Sequence, residues 1–96
     1  MSLNFQWDDD KAALNQKNHK VGFDEARTVF DDPLAVIFYD EDHSIEEHRK
    51  VIVGHSVRRR LLLVFFTQVA ENIIRIFSAR KATRTERTDY EENTHV

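Results

Sequence analysis

Three arginines stand in or beside predicted β-strands, where a rigid backbone can hold a cation in a fixed position. Arg49 lies in one strand of alternating residues, Arg75 lies in another, and Arg80 directly follows the second. The planar guanidinium fork can grip a phosphate with two parallel hydrogen bonds. These positions indicate a surface that could hold a phosphodiester. Each arginine could instead serve a surface ion pair, Arg80 for example with Glu86.

Acid–base candidates lie close to Arg49. Glu47 precedes it by two residues, and residues two apart on a strand share a face, so a carboxylate would stand beside a guanidinium. Such a pair can act as proton acceptor and phosphate clamp, or it can be a surface salt bridge that contributes little. His43 titrates near neutral pH, which makes it a further candidate for general acid or base.

Other polar residues could bind the backbone of a nucleic acid. Lys11 and Asn15 are one helical turn apart, so they share a face that either holds a phosphate or is simply wetted by solvent. Arg60 ends a run of three arginines, and Arg84 lies in a basic stretch after the last strand. Aromatic side chains that could stack on bases are scarce near these cations, and Tyr90 is the nearest candidate.

Metal ligation has little support in the residue types. The chain has no cysteine, and His43, His48 and His55 lack the spacing of four residues that places two histidines on one helix face. We therefore expect neither a metal ion nor another cofactor.

The elements that must position these residues follow from the hydropathy pattern. An antiparallel β-sheet with two N-terminal helices and a C-terminal helix is predicted, which is an α+β fold in a single domain over residues 1–96. Residues 61–67 are continuously apolar, as in a central strand that is covered on both faces. The predicted strands cover residues 3–7, 34–39, 48–56, 61–67 and 73–78, and the predicted helices cover 9–18, 23–30 and 84–92.

Two local patterns refine this scheme. Thr83 and Glu86 have the spacing of a capping box, which opens the last helix. In the last strand, Ile74 and Ile76 fall on one side, whereas Arg75 and Phe77 fall on the other. The predicted core comprises Trp7, Leu14, Phe23, Phe30, Val36, Phe38, Val51, Val53, Leu62, Val64, Ile74 and Ile76.

The charge is distributed unevenly along the chain. Residues 1–48 carry 12 acids and 4 Lys/Arg (net −8), whereas residues 49–96 carry 5 acids and 10 Lys/Arg (net +5). A polyanion could meet the basic half, and a protein that blocks this half would be expected to carry opposite charge. The absence of cysteine and of a basic–apolar leader predicts a cytoplasmic location without membrane contact.

The same residues resemble a known family, the BrnT toxins. The similarity begins at Phe5-x-Trp7-Asp8 and continues through His19-x-Val21-x-Phe23, the Asp32-Pro33 pair and Gly54-x-Ser56. Its strongest part is the run Ile74-Arg75-Ile76-Phe77-Ser78-Ala79-Arg80-Lys81-Ala82-Thr83 with Glu86-Arg87 and Tyr90. The pieces keep their order and spacing, so together they are specific. Departures include Asn18 before His19, Gly22 in place of a capping serine, and Arg59 where the hairpin often has glycine.

This resemblance implies a RelE-like fold and the toxin of a type II toxin–antitoxin system. It implies an endoribonuclease that cleaves RNA without a metal and inhibits translation, neutralised by a ribbon-helix-helix antitoxin similar to BrnA. Operator DNA would be contacted only through the antitoxin. The alternative is a non-catalytic nucleic-acid-binding or corepressor module that acts with an antitoxin.

Overall fold

A computed structural model describes residues 2–39 and 48–94 of the 96-residue chain. The strands are β1 (Asn4–Gln6), β2 (Val36–Tyr39), β3 (Lys50–His55), β4 (Leu61–Ala70) and β5 (Ile73–Lys81). The helices are α1 (Asp9–His19), α2 (Phe23–Ala26) and α3 (Arg84–Thr94), with a 3₁₀ turn over Arg27–Asp31 after α2. The strands form one sheet in the order β1-β5-β4-β3-β2.

The predicted fold class is confirmed, with one refinement in strand direction. Strands β2 to β5 are antiparallel neighbours, as short connections require. β1 pairs with β5 in parallel, with Asn4 opposite Ile73, so the sheet is mixed. The long path from β1 through the helices and three strands to β5 makes the parallel pairing possible.

Helix α1 begins and ends as its sequence predicts. Asp8 caps it by accepting a hydrogen bond from the Lys11 backbone N–H at 3.0 Å. The helix ends at Lys20, which adopts a left-handed φ of 60° and donates its N–H to Gln16 O. The inward side of α1 differs from the prediction: Asn15 is 5% exposed, whereas Leu14, expected in the core, is 57% exposed.

The second predicted helix is shorter than expected. Regular α-helix covers only Phe23–Ala26, and the chain then tightens into the 3₁₀ turn, as often happens at helix ends. Asp32 leaves helical geometry directly before Pro33, where the proline ring disfavours it.

Two hydrophobic clusters lie on opposite faces of the sheet. The first lies beneath α1, α2 and the 3₁₀ turn, and the second lies beneath α3. Strand β4 contributes to both, because Leu61 and Leu63 join the second cluster while Leu62 and Val64 join the first. The predicted burial of this strand on both faces is therefore confirmed.

The edge strand β2 departs from the predicted core. Val36 is partly buried against the α3 side, but Phe38 is 49% exposed, although it was expected inside. The cause is its position at the rim of the sheet, where α3 leaves part of the face open. Within residues 2–39 and 48–94, no helix is both long and apolar enough to cross a membrane.

Candidate active site

The three arginines of interest share one face of the sheet. In β5, Ile74, Ile76 and Ala79 belong to the cluster beneath α1 and α2. Strand alternation therefore directs Arg75 and Arg80 to the opposite face, the one that α3 packs against. Arg49 directly precedes β3 and has the same alternation as Val51, which packs in the cluster beneath α3.

A β-bulge interrupts the β4–β5 ladder beside Arg80. Phe65 pairs with Ser78, but the next residue, Phe66, pairs with Ile76, so Phe77 has no partner in the ladder. Bulges of this kind redirect a side chain and are enriched next to active sites. The Phe77 ring is half-buried, and two cationic side chains lie over it. The Arg49 guanidinium carbon lies 4.3 Å from its centroid, and Lys11 Nζ lies 5.6 Å from it.

Arg80 approaches a second ring. Its guanidinium carbon lies 5.8 Å from the centroid of Phe65, the residue that pairs with Ser78 across the ladder. Three cations from separate elements thus converge on two phenylalanines at adjacent ladder positions. We call Lys11, Arg49, Phe65, Phe77 and Arg80 the cation–aromatic patch.

The two phenylalanines of this patch were not predicted as site residues. Both belong to apolar runs, and the sequence offers Tyr90 as the nearest aromatic candidate for stacking on bases. One signal was available, because alternation in β5 already placed Phe77 on the same side as Arg75. Tyr90 is buried at 7% exposure, and its hydroxyl donates to Leu34 O at 3.2 Å, so it belongs to the core beneath α3.

Arg80 is held by a carboxylate from α3. Its Nη1 and Nη2 donate to the two Glu86 carboxylate oxygens at 2.7 and 2.8 Å. Glu86 also closes the predicted capping box, accepting from Thr83 N at 2.9 Å while its own N–H donates to Thr83 Oγ1 at 3.2 Å. These bonds, with that from Arg80 foremost, lower the pKa of Glu86 to about 2, and the pKa of Arg80 is raised. Arg80 also lies within β5 rather than beyond its end.

Arg75 and Arg84 are both exposed. Arg75 is opposite Gln6 of β1, and with the Gln6 amide oxygen turned toward it, this oxygen accepts from Nε and Nη2 at 3.2 Å each. A neutral partner leaves the positive charge of Arg75 available at this face. Arg84 begins α3, two residues before the glutamate that holds Arg80.

Asn15 does not share the surface that Lys11 reaches. Its Nδ2 donates to Val21 O at 2.8 Å and to Ala79 O at 2.9 Å, and its Oδ1 accepts from Ala79 N at 3.1 Å. Pairing of β1 with β5 extends only to Arg75, so the Asn15 amide satisfies the backbone of β5 beyond that point. The predicted phosphate-binding pair is therefore not formed, and the Asn15 amide is taken up by the fold.

Arg60 is likewise engaged inside the fold. Its guanidinium forms a two-pronged ion pair with the buried carboxylate of Glu25, with Nε donating to Oε2 at 2.9 Å, and Nη2 also donates to Lys20 O at 3.0 Å. Ser56 donates to the same carboxylate at 2.7 Å. These contacts, with the Arg60 bond foremost, lower the pKa of Glu25. Arg60 thus ties α2 to the β3–β4 turn, and its contact with RNA stays a prediction.

Two of the acid–base candidates, His43 and Glu47, lie outside the described residues. His48 precedes β3 and His55 ends it, so the length of a strand, about 3.3 Å per residue, separates these two histidines. Within residues 2–39 and 48–94, no three His, Asp or Glu side chains are grouped closely enough to hold a metal ion.

The arrangement suits a single-stranded polyanion. Guanidinium and ammonium groups offer donors to phosphate oxygens, and flat hydrophobic rings offer surfaces for bases. Arg80 presents a fixed orientation because Glu86 holds one edge of its fork, while its Nε–H lies on another edge.

Comparison with known proteins relates the chain to ribonuclease toxins. A family profile described as ribonuclease toxin, BrnT, of type II toxin–antitoxin system matches residues 7–86. The crystal structure of the Brucella abortus ribonuclease toxin BrnT superposes with a TM-score of 0.66 at 19% sequence identity, covering 86% of this chain and all of that one. A comparison with curated proteins gave no match. The match over residues 7–86 shows that this chain belongs to the BrnT family of ribonuclease toxins of type II toxin–antitoxin systems.

Proposed function

We propose that the cation–aromatic patch is the active site of a metal-independent endoribonuclease that inhibits translation by cutting RNA. The observation that carries the proposal is the convergence of Lys11, Arg49 and Arg80 on Phe65 and Phe77. In the proposed reaction, an RNA 2′-oxygen attacks the adjacent phosphorus and the bond from phosphorus to the 5′-oxygen breaks. The products are a 2′,3′-cyclic phosphate and a 5′-hydroxyl. The nucleophile belongs to the RNA, so no metal-bound water is needed.

The cations bind the phosphate and stabilise charge as it grows on the phosphorane. Arg80 is the principal group, because the Glu86 contact fixes its orientation before substrate arrives. Arg49 and Lys11 hold neighbouring phosphates, and Arg75 and Arg84 extend the basic surface along the strand of RNA. Phe65 and Phe77 supply the flat surfaces on which bases on either side of the scissile bond stack.

Proton transfer requires a base for the 2′-hydroxyl and an acid for the 5′-oxygen. Glu86 is unsuited to the role of base, because a carboxyl group with a pKa of about 2 holds a proton weakly. It acts as a positioning residue for Arg80. Glu47 and His43 stay predictions for the base and acid.

The type II classification implies an antitoxin protein that neutralises the chain. We expect this partner to be a BrnA-like ribbon-helix-helix protein, which would make the contacts to operator DNA. We expect a cytoplasmic location, because the toxin must share a compartment with its RNA substrate and with its antitoxin.

The direct test is purified chain incubated with defined RNA, with the ends of the products mapped. We expect cyclic phosphate ends, and cleavage that persists in EDTA. The variant Arg49→Ala should cut more slowly, whereas Arg27→Ala, an exposed arginine on the 3₁₀ turn, is the matched control. A complete loss of cleavage in EDTA that added metal restores would contradict the metal-free reaction.

A second candidate function has one observation in its favour. The bidentate ion pair takes up two donors of Arg80, which is compatible with a module that binds nucleic acid without cleaving it. Such a corepressor would bind RNA or DNA at the same patch, and the RNA in the cleavage assay would remain uncut.

A further inference from the structure

An apolar groove lies between the edge strand β2 and helix α3, beside the cation–aromatic patch. It encloses about 320 Å³. Its floor comes from β3 and β4, one wall from β2 and the other from α3. The lining consists of Val36, Phe38, Val53, Leu63, Tyr90 and the polar residues Glu86, Asp89 and Asn93.

Strand β2 leaves large side chains uncovered at this groove. Phe38 is 49% exposed and faces the groove, while its neighbour Ile37 is 54% exposed on the opposite face of the strand. β2 is also the last strand of the sheet among the described residues. An exposed apolar strand at a sheet edge favours association with another chain, and natural proteins normally protect such edges.

The rim contributed by α3 carries two acidic side chains. Glu86 is paired with Arg80, whereas Asp89 is exposed at the middle of the helix. A cation placed beside Asp89 from outside would be attracted to its carboxylate. The groove therefore combines an apolar floor with an acidic side chain at its rim.

We infer that this groove is the docking site of the cognate antitoxin, through a segment with apolar anchor side chains flanked by lysine or arginine. The apolar anchors fill the space over Phe38 and Leu63, and the basic residue pairs with Asp89 at the rim. The charge split of the sequence favours an acidic partner over the basic half, whereas Asp89 at this groove favours a basic side chain on the docked segment. Family membership supplies the partner, and the groove supplies its chemistry.

The position of the groove also accounts for neutralisation. Glu86 lines the groove and holds Arg80, so a segment docked there stands directly beside the cation that binds the phosphate. This consequence rests on the nuclease function proposed above, whereas docking itself does not.

The test is calorimetric titration of the purified chain with its cognate antitoxin. Phe38→Ser should weaken binding by at least about tenfold (about 1.4 kcal/mol), because aromatic anchors in the centre of an interface carry most of the binding energy. Ile37→Ser, equally exposed on the other face of β2, is the matched control and should bind within about twofold of the unchanged chain. Asp89→Lys should weaken binding, whereas Asp24→Lys, an exposed acid on α2, should not.

Several outcomes would overturn the inference. Equal losses for Phe38→Ser and Ile37→Ser would exclude the groove as the site, as would unchanged binding by both Phe38→Ser and Asp89→Lys. A chain that sediments alone as a dimer, and becomes monomeric through Phe38→Ser, would assign the groove to a second copy. Thermal unfolding checks each variant, and Asp89→Lys, altered only at the surface, decides the matter if Phe38→Ser does not fold. The titration needs no RNA, so it tests docking of the antitoxin even if the chain proves to have no nuclease activity.

Discussion

The guanidinium of Arg80 and the carboxylate of Glu86 are joined by two hydrogen bonds of 2.7 and 2.8 Å, and the same carboxylate caps α3 through Thr83. Glu86 thus caps the first turn of α3 and also orients Arg80, one of the three cations of the patch. The orientation of Arg80 therefore depends on correct docking of α3 against the sheet.

Replacing Arg80 should separate activity from stability. We expect Arg80→Ala to lower RNA cleavage by about 100-fold, the usual loss when one preorganised charge-stabilising donor is removed. The free energy of unfolding should fall by no more than about 1 kcal/mol, because the pair is partly exposed and Glu86 keeps its capping bonds. Cleavage assays and urea unfolding measure the two effects. Arg87→Ala, which changes an exposed arginine on α3, is the control. Full activity of Arg80→Ala would show that Arg80 takes no part in the reaction.

Two lysines of α1 carry the same charge at different positions, so replacing each of them tests whether position matters for RNA binding. Lys11 reaches Phe77, whereas Lys17 is exposed near the C-terminal end of the helix. Lys11→Ala should weaken binding of a non-cleavable 2′-deoxy-substituted RNA and reduce the slope of log affinity against log salt by about 0.7, as expected for one lost phosphate contact with a single strand. Lys17→Ala should leave the slope unchanged. Fluorescence anisotropy over a salt series measures both, and identical slopes for the two variants would exclude a specific contact by Lys11.

The amide of Asn15 should matter for stability rather than for RNA. Asn15→Leu removes the hydrogen-bond partner of Ala79 N–H and of the Val21 and Ala79 carbonyls. The free energy of unfolding should therefore drop by at least about 3 kcal/mol, given on the order of 1–3 kcal/mol per unsatisfied buried group. The reverse exchange at the neighbouring exposed position, Leu14→Asn, should change stability by less than about 0.5 kcal/mol. Urea unfolding compares the two. A stable Asn15→Leu variant with weakened RNA binding would restore the surface role.

The β3–β4 turn contains a strained residue that can be relieved. Arg59 has a φ of 63°, in the left-handed region where a side chain is unfavourable. Arg59→Gly should stabilise the chain by about 0.5–1 kcal/mol, since the relief of strain exceeds the added entropy of the unfolded chain. Val57→Gly, in the same turn at a residue without positive φ, should destabilise by a similar amount. Thermal unfolding decides, and a loss of stability in Arg59→Gly would contradict this account.

The lowered pKa of Glu86 predicts that the protein loses stability as the pH falls. Its folded-state pKa of about 2 lies below the ordinary value of 4.5, so its contribution to stability is complete above pH 4.5 and is lost as the pH falls toward 2. Glu86→Gln should therefore flatten the dependence of unfolding free energy on pH within that window. Urea unfolding across the window measures the slope. Arg80→Ala should flatten the same slope, because its guanidinium is the largest cause of the shift; an unchanged slope in both variants would refute the coupling.

Features that depend on neighbours along the chain could be predicted from residue spacing alone. The Asp8 cap, the Thr83–Glu86 capping box and the burial of β4 on both faces follow from spacing within a few residues, because hydrogen bonds and hydropathy act locally there. Alternation in β5 likewise placed Arg75 away from the isoleucines, and the ordered motifs identified the family.

Which polar residues turn inward and which apolar residues remain outside became evident from the folded chain. Asn15 bonds to a strand 64 residues away, and Arg60 pairs with a glutamate 35 residues earlier, contacts that a local pattern cannot reveal. Packing between distant elements brings Lys11 and Arg49 onto the Phe77 ring, and Phe38 stays exposed because α3 covers the sheet incompletely. Side-chain roles depend on packing between distant elements, whereas the elements themselves depend on adjacent residues.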